Sequence, residues 1–222
     1  MGVDVLSRIF IWAVPVLFSI VIHEASHGWT AYRLGDDTAK NMGRLTLNPL
    51  VHLDIFGTVI LPLIMIVLGG PVFGWAKPVP FNPYNFYPRV NRRNGIMWVA
   101  ISGPASNFAI AFVASFVLVI SQKFFSGFPS ILYLSIVQLA QAFVLINLIL
   151  GFFNLIPLPP LDGSKILMRF LPPSMEQQFL RFERYGMLIL ILILATGGFS
   201  SIVLGPVKLL YKLFLSIPLF LF

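Results

Sequence analysis

Two histidines and a glutamate stand together in this chain, as His23-Glu24-Ala25-Ser26-His27. On a helix, positions i and i+4 share a face, so both imidazoles can reach one ion. Glu24, next to the first histidine, points close to the same place. It can act as general base toward a metal-activated water. Zn2+ is the natural occupant of a site built from two imidazoles and a carboxylate. The chain has three His and three Glu in 222 residues, so random placement would produce the pattern about 0.0005 times. The competing reading, histidines that cap a helix end or hold water, must explain why all three lie beside an apolar run.

A catalytic zinc site takes three protein ligands and leaves a fourth position for water. His52 and Asp162 are the main candidates for the third ligand, with Asp54 behind them. Asp162 follows a long apolar run and the Pro-rich break Pro157-Leu158-Pro159-Pro160, where irregular backbone can line a polar cavity. His52 lies in a linker with Asn48 and Asp54 and reads more simply as a surface or capping residue.

The elements that must position these residues are apolar. Hydrophobic residues make up 58% of the chain and charged residues only 10%, against about a quarter charged in soluble domains. A soluble globular protein and a disordered one are both excluded. A bilayer-crossing helix takes about 20 apolar residues, so the composition predicts an all-α polytopic membrane protein with about five transmembrane helices (four to six). Without cysteine, no disulfide or thiolate metal site can form. The net charge of +7 comes from basic residues in short linkers between apolar runs, a membrane-orientation pattern. No Lys/Arg cluster with interleaved aromatics suggests nucleic acid as a partner.

The apolar runs cover Ile9 to about Arg33, Ile55 to Phe73, Ile96 to Ser121, Ile131 to Ile156 and Met187 to Phe222. The first is not expected to be a cleaved signal peptide, because polar groups interrupt it where a small-residue cleavage site would fall. The second is broken by Gly57, Pro62 and Gly69-Gly70-Pro71. The Pro-rich stretch 74–83 is predicted to be extended. The last run, interrupted at Thr196-Gly197-Gly198, reads as one span plus an interfacial helix or as two short spans.

Together these residues resemble the site-2 protease family of intramembrane zinc metalloproteases. The resemblance rests on His23-Glu24-x-x-His27 within an apolar helix and on Asn154-Leu155-Ile156-Pro157-Leu158-Pro159-Pro160-Leu161-Asp162-Gly163 after a later one. Gly103-Pro104-Ala105-Ser106-Asn107 matches a third family element, and Trp75-Ala76-Lys77-Pro78-Val79-Pro80 and Asn48-Pro49-Leu50 resemble small prokaryotic members. The resemblance implies that His23, His27 and Asp162 ligate one Zn2+ per chain and that Glu24 is the catalytic base. It also places Asn154 close to the active site, where its amide could donate to an oxyanion or merely satisfy backbone around the proline break. Asn107 and Pro104 are expected to serve helix packing and a kink. The polar linker 71–95 is too short for a PDZ domain, which points to the PDZ-less subgroup. A single metalloprotease domain over 1–222 is expected, with its core at about 15–170 and C-terminal helices at 186–222.

Topology follows from parity. His27 lies toward the C-terminal end of the first span and Asp162 just past the end of the fourth run. Helices whose C-terminal ends meet run in the same direction, so an odd number of crossings separates them. One of the two intervening runs cannot cross. Lys77, Arg89, Arg92 and Arg93 have no acidic partner within 71–95, which puts that linker in the cytoplasm. The run 55–73 is then re-entrant or cavity-lining, the active site faces the cytoplasmic side, and the N-terminus lies outside.

The expected function is a zinc-dependent intramembrane endopeptidase acting on transmembrane protein substrates within the lipid bilayer of a prokaryotic cell membrane. A zinc-binding membrane transporter and a non-cleaving pseudoprotease are the alternatives. The glutamate directly after the first histidine favours the protease, since a permeation site does not need it. Substrate identity and oligomeric state are not legible in the residues.

Overall fold

Inside a bilayer no water is available to the backbone, so each apolar run must close its own hydrogen bonds. The computed structural model describes residues 2–67, 74–125, 127 and 131–221, and it is helical throughout these runs. α1 spans Gly2–Arg33, α2 is the single turn Thr38–Asn41, and α3 covers Leu61–Val67. α4 spans Arg92–Phe125, α5 Ile131–Leu155, α6 Asp162–Phe170, α7 Pro173–Ala195 and α8 Gly198–Leu221. Among the described residues four helical stretches are long and apolar enough to cross a membrane, in α1, α4, α5 and α8. That is the lower end of the expected four to six.

The spans meet on small side chains. Ala111 and Ala114 of α4 pack with Val144 and Leu148 of α5 and with Val203 and Val207 of α8, all buried. Lipid tails are as apolar as leucine, so close van der Waals approach is what favours helix contact here. α1 lies against α4 and α5. Pro104 does not interrupt α4, which runs through it.

Among its described residues the second apolar run supplies only a short apolar helix, Ile55–Met65. Asp54 caps it by accepting from Gly57 N–H at 2.6 Å. A wide π-helical turn, Ile55–Ile60, then passes into α3 where Pro62, without an N–H to donate, follows Leu61. Gly57 and Pro62, expected as breaks, are thus carried inside helical backbone. The remaining expected break, Gly69-Gly70-Pro71, lies outside the described residues. Trp75 N–H donates to Gly57 O at 3.1 Å and Lys77 N–H to His52 O at 2.9 Å. The Thr58 hydroxyl donates to Trp75 O at 2.8 Å. Residues 75–77 therefore lie against residues 52–58, an arrangement consistent with α4 being the one crossing between α1 and α5 that parity asks for.

The last apolar region divides at Gly197, whose φ of +75° is a left-handed value that glycine adopts freely. Its first part, in α7, supplies only the shorter apolar helix Arg184–Leu194, and α8 supplies the full-length span.

Residues 74–83 form an extended strap, pinned along its length. The buried Arg44 guanidinium donates to Lys77 O at 2.7 Å and Pro78 O at 3.3 Å. Asp36 accepts from Asn82 N–H at 2.6 Å, from the Asn85 amide at 2.8 Å and from Thr38. Burial alone would raise the Asp36 carboxyl, but the hydrogen bonds from Thr38, Asn82 and Asn85 outweigh it and hold the group below its ordinary value. This anchorage is present above the ordinary carboxylate range and weakens as pH falls through the lowered value.

Because the strap pairs with the start of the second run, single-cysteine variants Leu50→Cys and Lys77→Cys are expected to label with an impermeant thiol reagent from the same face of the membrane. Labelling from opposite faces would contradict the re-entrant path.

Candidate active site

α1 carries His23, Glu24 and His27 on one face toward its C-terminal end. The opposing residue comes from the break after α5. There Leu158 N–H donates to Ile156 O at 2.7 Å and Leu161 N–H to Leu158 O at 2.9 Å, so the irregular turn satisfies its own backbone. α6 then starts at Asp162. Gly163 permits the tight return, since a Cβ there would lie 2.3 Å from Leu155 O and 2.4 Å from Ile156 O. The far end of α6 is docked on the start of α4. Arg93 donates to Met168 O and Leu171 O, both at 2.5 Å, and Arg169 donates to Asn94. A cation on terminal helix carbonyls is favourable.

This scaffold brings three atoms to one point. His23 Nε2 lies 3.1 Å from Asp162 Oδ2, His27 Nε2 lies 3.2 Å from the same oxygen, and the two Nε2 atoms are 3.1 Å apart. All three residues are buried. Asp162 Oδ1 turns the other way, 3.8 Å from Lys165 Nζ.

The histidine tautomers follow from the other ring nitrogens. His27 Nδ1 is 2.7 Å from Val99 O, a group that can only accept. His23 Nδ1 is 2.6 Å from Asn107 Oδ1. Both Nδ1 atoms therefore donate, which leaves the Nε2 atoms of the neutral imidazoles as the coordinating nitrogens. Two imidazole Nε2 atoms and a carboxylate oxygen converge on one point, a donor set that suits a metal cation. A tetrahedral ion with ligands at about 2.0–2.1 Å sets neighbouring donors about 3.3 Å apart. The triangle of 3.1–3.2 Å fits such an ion, and two nitrogens with one oxygen suit zinc.

Glu24 can contribute to a metal cluster with His23 and His27 by proximity. Its Oε2 accepts from Val79 N–H of the strap at 2.9 Å. A cavity of about 360 Å³ opens over these groups. Gly74–Ala76, Pro78, Val79 and Phe81 of the strap form one wall, and Asn154 and Leu161 contribute to another. The strap is thus part of the chamber. Asn154 reaches the chamber wall, with its Nδ2 donating to Leu150 O at 3.0 Å.

Of the candidates for the third position, only Asp162 joins the histidines. His52 is buried elsewhere, with Nε2 donating to Thr46 O at 2.9 Å, and Asp54 caps the π-helical turn. Asn107 links α4 to α5 through Asn147, as its expected packing role asks, and also holds His23. Sequence reasoning also missed Gly103, quoted in the same motif but given no role. A Cβ at Gly103 would meet His27 Cε1 at 2.5 Å and His23 Nε2 at 2.6 Å. The glycine lets the α4 backbone lie against the two imidazoles. The signal was present in the sequence, a glycine inside an apolar helix, but it does not say what approaches.

Gly103→Ala is expected to push the imidazoles apart and reduce bound zinc by at least tenfold, measured by metal analysis of the purified protein, with the helix content by circular dichroism unchanged.

The model of peptidase family M50 matches residues 11–197. YwhC of Bacillus subtilis (strain 168), whose name describes a candidate zinc metalloprotease, is 38% identical over 193 residues, 87% of this chain and 83% of that protein. The similarly named Rip2 of Mycolicibacterium smegmatis is 29% identical over 83% of this chain and 66% of its own length. Rip2 of Mycobacterium tuberculosis (strain H37Rv) is 26% identical over 89% and 71%. No solved structure gives a significant match. The chain is a metalloprotease belonging to peptidase family M50, the site-2 protease family that its motifs resemble.

Proposed function

We propose that the chain is a zinc-dependent intramembrane endopeptidase with one Zn2+ held by His23, His27 and Asp162. The observation that carries this reading is the triangle of two imidazole nitrogens and a carboxylate oxygen, 3.1–3.2 Å on a side, buried beside a glutamate. When bound, zinc supplies a Lewis acid that acidifies water and polarises the scissile carbonyl.

The chain's own residues do the rest. Glu24 takes the proton from the attacking water and passes it to the leaving amine. Its Oε2 is steadied by Val79 N–H, which keeps the carboxylate aimed along the chamber. Asn154, on the chamber wall, offers an amide to the oxyanion that develops on the carbonyl. Lys165 stands on the far oxygen of Asp162, leaving Oδ2 for the ion.

The substrate is a transmembrane segment of another protein. A helix hides its peptide bonds in its own hydrogen bonds, so it must unwind before Glu24 can act on water at a scissile bond. The strap, extended and pinned from behind by Arg44 and Asp36, is suited to receive an unwound segment along its edge. The charge pattern supports an orientation with the chamber on the cytoplasmic side, since Lys77, Arg89, Arg92 and Arg93 lie in or beside the strap, and the bacterial relatives support a prokaryotic cell membrane as its location.

Two variants test the reading. Glu24→Gln is expected to retain zinc while losing cleavage of a reconstituted membrane substrate by about 10²–10⁴-fold. Asp162→Ala is expected to lose zinc. Cleavage retained in the first would refute the base assignment, and unchanged zinc in the second would remove Asp162 as a ligand.

A further inference from the structure

His27 and His23 have their tautomers set by partners of different kinds. The partner of His27 Nδ1 is a backbone carbonyl, which cannot rotate. The partner of His23 Nδ1 is the Asn107 side chain, whose amide could turn over and present Nδ2–H instead. A turned amide would require a lone pair on Nδ1 and so a proton on Nε2, the atom that faces Asp162. His23 would then have no lone pair to offer.

Two further residues stand behind Asn107. Its Nδ2 donates to Asn147 Oδ1 at 2.8 Å, and Asn147 Nδ2 donates to Phe143 O at 2.8 Å and to Ser19 Oγ at 2.7 Å. Ser19, Asn107 and Asn147 are fully buried, on α1, α4 and α5. Phe143 O can only accept, so Asn147 must direct Nδ2 toward it and Oδ1 toward Asn107. Asn107 must then answer with Nδ2, which leaves Oδ1 for His23. Reversing any member would strand a buried donor or set two acceptors face to face among apolar helices.

We infer that Asn147 is a positioning residue for the metal site: it fixes the Asn107 amide, and through it keeps the His23 proton on Nδ1 and the lone pair on Nε2. The polarity runs from a carbonyl on α5 through an amide on α4 to a histidine on α1. The inference rests on His23 being a zinc ligand, as proposed above, and on the hydrogen-bond geometry that runs from Asn147 through Asn107 to His23. No family motif quoted above includes position 147, and an asparagine in an apolar helix is otherwise unexplained here. Partners of this kind behind a metal ligand are typically worth 10–100-fold in affinity.

The test uses the full chain and two variants. Asn147→Leu keeps similar volume without hydrogen bonds, and Asn147→Asp, a buried acid in its protonated form, keeps an oxygen facing Asn107 and an O–H for Phe143 O. With only three histidines in the chain, ring ¹⁵N resonances of the zinc-loaded protein can be assigned one by one. In Asn147→Leu the His23 Nδ1 signal is expected to shift while His27 stays unchanged, and zinc affinity by chelator competition is expected to fall about 10–100-fold. Asn147→Asp is expected to stay within a few-fold of the natural chain in both readouts. An Asn147→Leu protein with an unaltered His23 signal and unaltered zinc affinity would overturn the inference. So would equal weakening by both variants, which is the mark of a packing position. His23→Ala separates this from the zinc reading: retained zinc there would defeat the ligand assignment, and lost zinc there beside normal binding in Asn147→Leu would defeat the positioning role alone.

Discussion

Three donor atoms held within about 3.2 Å of one another, at the edge of an apolar bundle, are the constraint on which the rest of this structure depends. Polar and ionisable groups among apolar helices are costly unless each is partnered. The protein must therefore hold two elements rigidly opposed. α1 supplies the histidines at i and i+4. The break after α5 supplies the carboxylate at the first residue of α6, placed there by Gly163 at one end and by Arg93 and Asn94 at the other. α4 is the partner common to both. Its glycine at 103 allows backbone to lie against the rings, and its asparagine at 107 orients one of them.

The chamber that results has one wall of helix and one of extended chain. Extended backbone at membrane depth is tolerated only where the protein satisfies it. Here the strap gives its carbonyls to Arg44 and its N–H groups to Glu24, Asp36, Gly57 and His52. Glu24, proposed above as the general base, is thus also a strap anchor. This couples the position of Glu24 to the path of the strap, and the strap in turn is tied to His52 and Gly57 at the start of the second apolar run.

Much of this was legible in the residues because the chain is so poor in charge. Each histidine and acid in an apolar run had to have a reason, and His23, Glu24, His27 and Asp162 share one. Parity also carried far: it required one intervening run to turn back, and the Gly57–Trp75 and His52–Lys77 pairings are consistent with that return. What was not legible were relations between helices. Gly103 and Asn107 stood in a quoted motif, yet helical periodicity does not say that their face meets two imidazoles. Asn147 and Ser19 carry no spacing signal at all, since their meaning lies in atoms contributed by other spans. Arg93 read as an orientation charge, and its work on the α6 carbonyls depends on a contact 75 residues away. The helical character of 55–67 escaped because Gly57 and Pro62 argue locally for breaks, whereas the wide turn absorbs both.

The cations beside the chamber serve two ends with one set of residues. Arg44 and Arg93 are held by backbone carbonyls that helix and strap termini leave over, and such carbonyls are richest where spans end at the chamber mouth. Lysine and arginine are also the residues that hold a linker on the cytoplasmic face. A chamber built from broken helices therefore collects positive charge at its own opening for structural reasons, and that same charge favours the proposed orientation toward the cytoplasm. In this chain the proposed orientation and the scaffold draw on the same residues. Removing Arg93 to alter the charge of the linker would also release the helix that carries Asp162.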